Sequence, residues 1–311
     1  MPANATTVAG MGSDFSVNPE IDDTGEFQRQ QSAFRDSGAR PEPGRYHLYV
    51  TYACPWASRI IIARKLKGLE ELLPMTVVDP IRDARGWRFL PGDPDPVNGF
   101  AFLAEAYELS SPGFSDRVTV PVLWDKQENR IVNNESSELL RMLNDWSSEG
   151  PDLYPEAYRA EIDAINDRVY DGLNNGVYRA GFATTQKAYE RRVAVVFETL
   201  AWMSTLLQER RYLAGSPQPT EADWRAFVTL VRFDAVYVGH FKCNIHRIAD
   251  DPVLEGYLRD LYQHPGIAET VNLDHIKRHY YLTHPMIDPT GIVPVGPELQ
   301  LDGPHDRERL G

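Results

Sequence analysis

From Tyr46 to Thr51 the side chains alternate. Tyr46, Leu48 and Val50 fall on one side and His47, Tyr49 and Thr51 on the other, the period of a strand. Beyond Pro55 the period lengthens: Ile60, Ile61, Ala63, Leu66 and Leu69 share one stripe of a helix, Lys65 and Lys67 sit in its last turn, and Gly68 is placed to stop it. MTVVDP (75–80) predicts a second strand, so strand, helix and strand make a parallel unit with a right-handed crossover. Ile81 to Gly113 is a long irregular run with one helical piece, FAFLAEAYEL (100–109). Val118, Val120 and Val122-Leu123 predict a strand, QEN a turn, and Arg130-Ile131-Val132 its hairpin partner. Asn134-Glu135-Ser136 then opens a helix striped by Leu139, Leu140, Met142, Leu143 and Trp146.

The order β-α-β-α-β-β-α is that of a thioredoxin-like α/β domain, over 46–149. Residues 1–45, rich in Gly, Pro, Asp, Gln and Ser, read as an extended arm lying across the body or a neighbouring subunit. GPDLYPEAY (150–158) reads as a linker, 155–282 as an all-helical domain, and 283–311 as a Pro/Gly-rich tail. Thr220-Glu221-Ala222-Asp223 has the form of a capping box, a folding device.

Composition narrows the function classes. A net charge of −13 disfavours nucleic acid and anionic membranes as partners, and no apolar run approaches the length of a membrane span. Two cysteines in 311 residues fit a reducing compartment, and MPANATTVAGMGSDF lacks the pattern of a secretory leader, so a cytoplasmic location is expected.

The candidate chemistry sits where the first strand meets the first helix, at Cys54-Pro55-Trp56-Ala57. Pro55 suits the first helical position, which puts Cys54 where unpaired N–H groups and the helix dipole favour an anion, so a lowered thiol pKa is expected. Dithiol oxidoreductases carry a second cysteine three residues on; here that residue is Ala57. With no neighbour to resolve a mixed disulfide, a second small thiol must complete any redox cycle, which points to glutathione. A glutathione site needs a main-chain edge for the middle residue, a carboxylate for the amine, and donors for the carboxylates. Val120 beside Pro121, expected as a cis bond, supplies the edge. Glu135-Ser136 at a helix start, Arg117 and Trp87 complete the set.

TYACPWASR, RVTVPVLWDK, IVNNESSE, NNGVYRAGFA, LVRFDAVYVGHFKCN, PGIAETVN and DHIKRHYY together resemble the glutathionyl-hydroquinone reductases, the Xi class of glutathione transferases, over roughly residues 30–300. The resemblance implies a homodimer and a reaction between glutathione and a glutathionyl-hydroquinone, passing through a Cys54–glutathione mixed disulfide. It assigns Cys54 as nucleophile, Trp87, Arg117, Val120, Glu135 and Ser136 to glutathione, and Tyr178 and Tyr280 to the aromatic substrate; one helical step separates Tyr280 from Tyr281. Cys243 reads as structural, and His240 and His246 near it form no ordered ligand spacing, so no metal is expected. The competing readings are an omega-like thiol transferase or dehydroascorbate reductase using the same cysteine, a conjugating transferase, and a non-catalytic scaffold of the same fold.

Overall fold

The structure, a computed structural model, describes residues 20–90 and 92–311. The first nineteen residues of the expected arm lie outside that range. The rest of the arm lies on the body. Strands β1 (Glu20–Ile21) and β2 (Phe27–Gln28) pair antiparallel. Buried Glu26 receives the guanidinium groups of Arg191 and Arg192, while the Phe34 N–H donates to the Asn134 side chain, so the arm is tied to both halves of the chain.

A four-stranded sheet follows, ordered β4 (Met75–Val77), β3 (Tyr46–Val50), β5 (Val122–Asp125), β6 (Arg130–Asn133). β3 and β4 run parallel, with helix α1 (Pro55–Leu66) between them in the chain, and the other pairs are antiparallel, as the sequence implies. Two details differ. The polar side of β3 is buried as well: Tyr49 donates to Asp95 at 2.9 Å and His47 pairs with Thr76 at 2.8 Å, since the long loop covers that face. And β5 starts at Val122 rather than Val118. Pro121 has no N–H for the ladder, and pairing with β3 begins at Val122 opposite Tyr49. The Val120–Pro121 bond is cis, as expected.

Helix α2 (Ala104–Ser110) lies within the expected 100–109 piece to one residue, and α3 (Ser136–Trp146) begins at the predicted start. In α1 every residue from Pro55 to Ala63 except Trp56 is buried, because the helix packs against α3 and also against the helical half. Gly68 adopts φ +61° after the last turn, the conformation a helix stop of this kind requires.

The helical half comprises α4 (Arg159–Val169), α5 (Gly176–Gly181), α6 (Gln186–Leu207), α7 (Glu221–Arg232), α8 (Pro252–Tyr262) and α9 (Leu273–Thr283). The stretch 161–182, which reads as one helix, is broken by a π turn at Tyr170–Asn174. Gly172 lies in it, where a Cβ would come within 2.1 Å of Thr199 on α6, so the close approach admits only glycine. A second π turn, Phe233–Tyr237, follows α7. All of α7 is buried, and its capping box forms: the Asp223 carboxylate accepts from the Thr220 N–H at 2.8 Å and hydroxyl at 3.0 Å. The tail is packed rather than loose. Arg307 is buried and donates to the carbonyls of Leu207 at 2.7 Å and Arg211 at 3.0 Å, capping free carbonyls around the end of α6. Among the described residues no helix is long and apolar enough to cross a membrane.

Candidate active site

Cys54 is the residue before α1, extended at φ −81° and ψ 122°, with Pro55 opening the helix. The N–H groups of Trp56 and Ala57 point at its sulfur, as the sequence implies, and its Sγ lies 3.5 Å from the Val120 carbonyl. The expected easy deprotonation, however, does not follow. Burial pushes the Cys54 thiol up, against the pull of those two N–H groups and of the Arg232 and Arg29 charges. The helix start supplies donors; the walls remove water, and the walls win. Alkylation of Cys54 by iodoacetamide in the ligand-free protein is therefore expected to rise with pH through a midpoint above the ordinary thiol value of 9.0, because the neutral form persists until then. A rate already level near neutral pH would show that the donors outweigh burial.

Two adjoining cavities meet at this turn. The larger, about 400 Å³, is lined by Glu135, Ser136 and Val120 among others; the smaller, about 130 Å³, by Cys54, Trp87, Arg117, Val120, Tyr178 and Tyr280. Every residue the sequence assigns to catalysis, glutathione or the aromatic substrate lines one or the other, and Val120 lines both.

In the larger cavity Glu135 is the cap of α3. Burial would raise its carboxyl, but the N–H and hydroxyl of Ser137, the Ser32 hydroxyl and the Arg59 charge hold it below the usual carboxylate range. Arg59, one turn into α1, reaches across to donate to Asn174 Oδ1 at 2.7 Å and, more weakly, to Ser136 Oγ at 3.4 Å. An arginine on the buried face of an isoleucine-rich helix was the available signal for it. The π turn at 170–174 carries Asn174 into reach.

In the smaller cavity Trp87 stacks on His279, ring centroids 5.1 Å apart, and its indole N–H is buried with no partner among the described residues. His279 donates from Nδ1 to the Pro80 carbonyl at 2.7 Å and is held neutral, its pKa down to about 3 through burial, so the loop after β4 is anchored to α9. Arg117 is engaged by Gln30 of the arm: Gln30 Oε1 accepts from the Arg117 N–H at 2.9 Å. Arg29, also on the arm, lies 4.7 Å from the Trp56 and Tyr178 ring centres. No local pattern in residues 20–45 marks Arg29, Gln30 or Ser32 as site residues; their proximity to Cys54 exists only in the folded chain.

The aromatic wall holds three phenols. The Tyr178 and Tyr280 hydroxyls bond each other at 2.5 Å, and the Tyr237 hydroxyl bonds Tyr280 at 2.9 Å. Burial raises all three. Tyr237, in FDAVYVGHF, carried no expected role. Tyr281 does not line the cavity; its ring packs on His240, 4.8 Å away. Arg232, the last residue of α7, holds the cysteine turn by donating to the Tyr52 carbonyl at 2.7 Å and the Ala53 carbonyl at 3.2 Å. Cys243 is buried, its thiol pushed up to about 12 by burial, which suits an inert role. Among the described residues no three His, Cys, Asp or Glu side chains are arranged to hold a metal ion.

The family models for the N-terminal and C-terminal domains of glutathione S-transferase match residues 53–146 and 186–260. The chain is 53% identical to glutathionyl-hydroquinone reductase PcpF of Sphingobium chlorophenolicum, across 90% of this chain and 92% of that protein. It is 50% identical to glutathionyl-hydroquinone reductase YqjG of Escherichia coli, across 91% and 93%. Among solved structures it superposes on the Xi glutathione transferase of Phanerochaete chrysosporium with a TM-score of 0.88 at 46% identity, covering 94% of this chain and 99% of that one. The glutathione-bound structure of YqjG matches with a TM-score of 0.82 at 52% identity, covering 86% and 89%. The chain belongs to the glutathione S-transferases and, within them, to the Xi class of the glutathionyl-hydroquinone reductases.

Proposed function

We propose that this protein is an enzyme that reduces glutathionyl-hydroquinones to hydroquinones at the expense of glutathione. The observation that carries this reading is a single sulfur, Cys54, sharing an aromatic-walled cavity with paired phenols, with Ala57 where a resolving cysteine would stand.

Glutathione lies along both cavities, its γ-glutamyl amine at Glu135 and Ser136, its middle residue along the Val120 main chain, and its glycyl carboxylate at Arg117, with Trp87 over the thiol end. The Cys54 thiolate attacks the glutathionyl sulfur. The new S–S bond forms as the bond from sulfur to ring carbon breaks, and the ring keeps that electron pair and takes one proton at carbon. Tyr178 and Tyr280 hydrogen-bond the ring oxygens and help move that proton. A second glutathione thiolate then attacks the mixed disulfide, leaving as oxidised glutathione and returning Cys54 as a thiolate. The sulfur is oxidised by the first step and reduced by the second, so the hydroquinone carbon gains what two glutathiones lose.

The test is direct: purified protein with glutathione and a glutathionyl-hydroquinone should release free hydroquinone far faster than it reduces a generic glutathione mixed disulfide. Comparable rates would favour the omega-like thiol transferase reading, which has its own support in a 46% identical relative from Schizosaccharomyces pombe named glutathione S-transferase omega-like 2. The same reading takes 46–149 and 155–282 as the two domains, a homodimer as the working form and the cytoplasm as the location; two free cysteines fit a reducing compartment.

A further inference from the structure

Among the described residues, two guanidinium groups in the Cys54 chamber stand without an acid. Arg82, on the loop after β4, lies with its Cζ 5.2 Å from the centre of the Trp87 ring, so guanidinium, indole and the His279 imidazole form one stack. Its Nε is sealed from solvent and has no hydrogen-bond partner among the described residues. Arg29 donates from Nε to Asn175, but its Nη2 is likewise buried and unpartnered. Arg117 differs, with Gln30 on it and the Glu20 carboxylate 3.7 Å away. Among the described residues no aspartate or glutamate lines this chamber, whose remaining walls are largely aromatic: Phe27, Trp87, Tyr178, Phe182 and Tyr280.

An unpaired buried cation is costly to keep, and burial brings Arg82 down to about 10. The reading above provides two negative charges here, the Cys54 thiolate and the glycyl carboxylate. Glu20 and the proposed glycyl carboxylate both answer Arg117, which leaves the thiolate alone to face Arg29 and Arg82. Arg82 is held by aromatic stacking rather than by any acceptor, so its terminal nitrogens remain free for a ligand.

We propose that Arg82 makes the aromatic half of the site select hydroquinones that carry an anionic oxygen, an ionised phenol or a ring carboxylate, over neutral ones. The inference rests on the glutathionyl-hydroquinone reading and names the class of ring within it. A charge-assisted bond to a guanidinium set among aromatic walls supplies the discrimination, and Trp87 keeps the cation in place.

Three conjugates test it: unsubstituted glutathionyl-hydroquinone, a ring-carboxylated one, and a dichlorinated one whose phenol ionises more readily. The wild-type kcat/KM for the carboxylated conjugate should exceed that for the neutral one by about 10-fold or more, and Arg82→Met should bring the ratio near parity, with Arg82→Lys between. The dichlorinated conjugate should gain as pH rises through its phenol ionisation while the carboxylated one does not, which separates the two sources of charge. A readout independent of turnover is quenching of tryptophan fluorescence: dihydroxybenzoate should bind more tightly than hydroquinone to the wild type, and this preference should vanish in Arg82→Met. Parity in the wild type overturns the inference. So does an equal loss on all three conjugates with weaker glutathione binding by calorimetry, which would assign Arg82 to the glycyl carboxylate. Failure to release hydroquinone from any conjugate would sink the enzymatic reading instead, and the dihydroxybenzoate comparison still decides the selectivity of the chamber.

Discussion

Replacing Cys54 with serine should lower kcat by at least about 10³-fold and leave glutathione binding within a factor of about 3. The two effects separate because the sulfur forms the intermediate, whereas Glu135, Ser136, Val120 and Arg117 line the walls proposed to hold the ligand's charged ends and main chain. An alcohol at this position keeps the hydrogen bond toward the Val120 carbonyl but is far too weak an acid to supply the nucleophile. Wild-type protein treated with oxidised glutathione should carry one glutathionyl unit on residue 54 by mass spectrometry, and the serine variant none. Turnover retained by the variant, or an adduct on Cys243 in its place, would move the chemistry elsewhere. The second outcome is disfavoured by the burial that pushes the Cys243 thiol up to about 12.

Tyr280→Phe is expected to have the next largest effect, a fall in kcat of about 10²–10³-fold, with Tyr178→Phe in the same direction. Tyr280 is the centre of the phenol cluster, bonded to both Tyr178 and Tyr237, so removing its hydroxyl deprives two buried neighbours of their shared partner. That structural loss is modest, about 1 kcal/mol, or a drop in melting temperature of about 2–4 °C. A large drop in melting temperature with kcat unchanged would mean that Tyr280 is a core residue whose hydroxyl is merely satisfied. Tyr281→Phe serves as the control, because its ring faces His240 and not the cavity, and little change in kcat is expected from it.

The sequence by itself determined more of the architecture than of the site. Alternation at Tyr46–Val50, the helical stripe after Pro55 and the hairpin around QEN are local patterns, and hydrogen bonding between near neighbours realises them with the expected order and direction. Cys54, Val120 and Glu135 were legible for the same reason: each marks a junction of local elements, a helix start or a proline beside a strand, where free backbone groups collect.

Tertiary structure decided everything that depends on which surfaces meet. The polar side of β3 is buried because a distant loop covers it, so alternation reported the period of that strand and not its exposure. The helix after residue 169 breaks into a π turn because α6 crosses at Gly172. Arg29, Arg82 and Arg232 reach the Cys54 turn or its cavity from three separate segments, and no spacing along the chain encodes that meeting. The state of the sulfur itself belongs in this second group. A helix start draws a thiol toward its anion, but the water excluded by walls built from those distant segments sets the balance, and burial is the larger of the two.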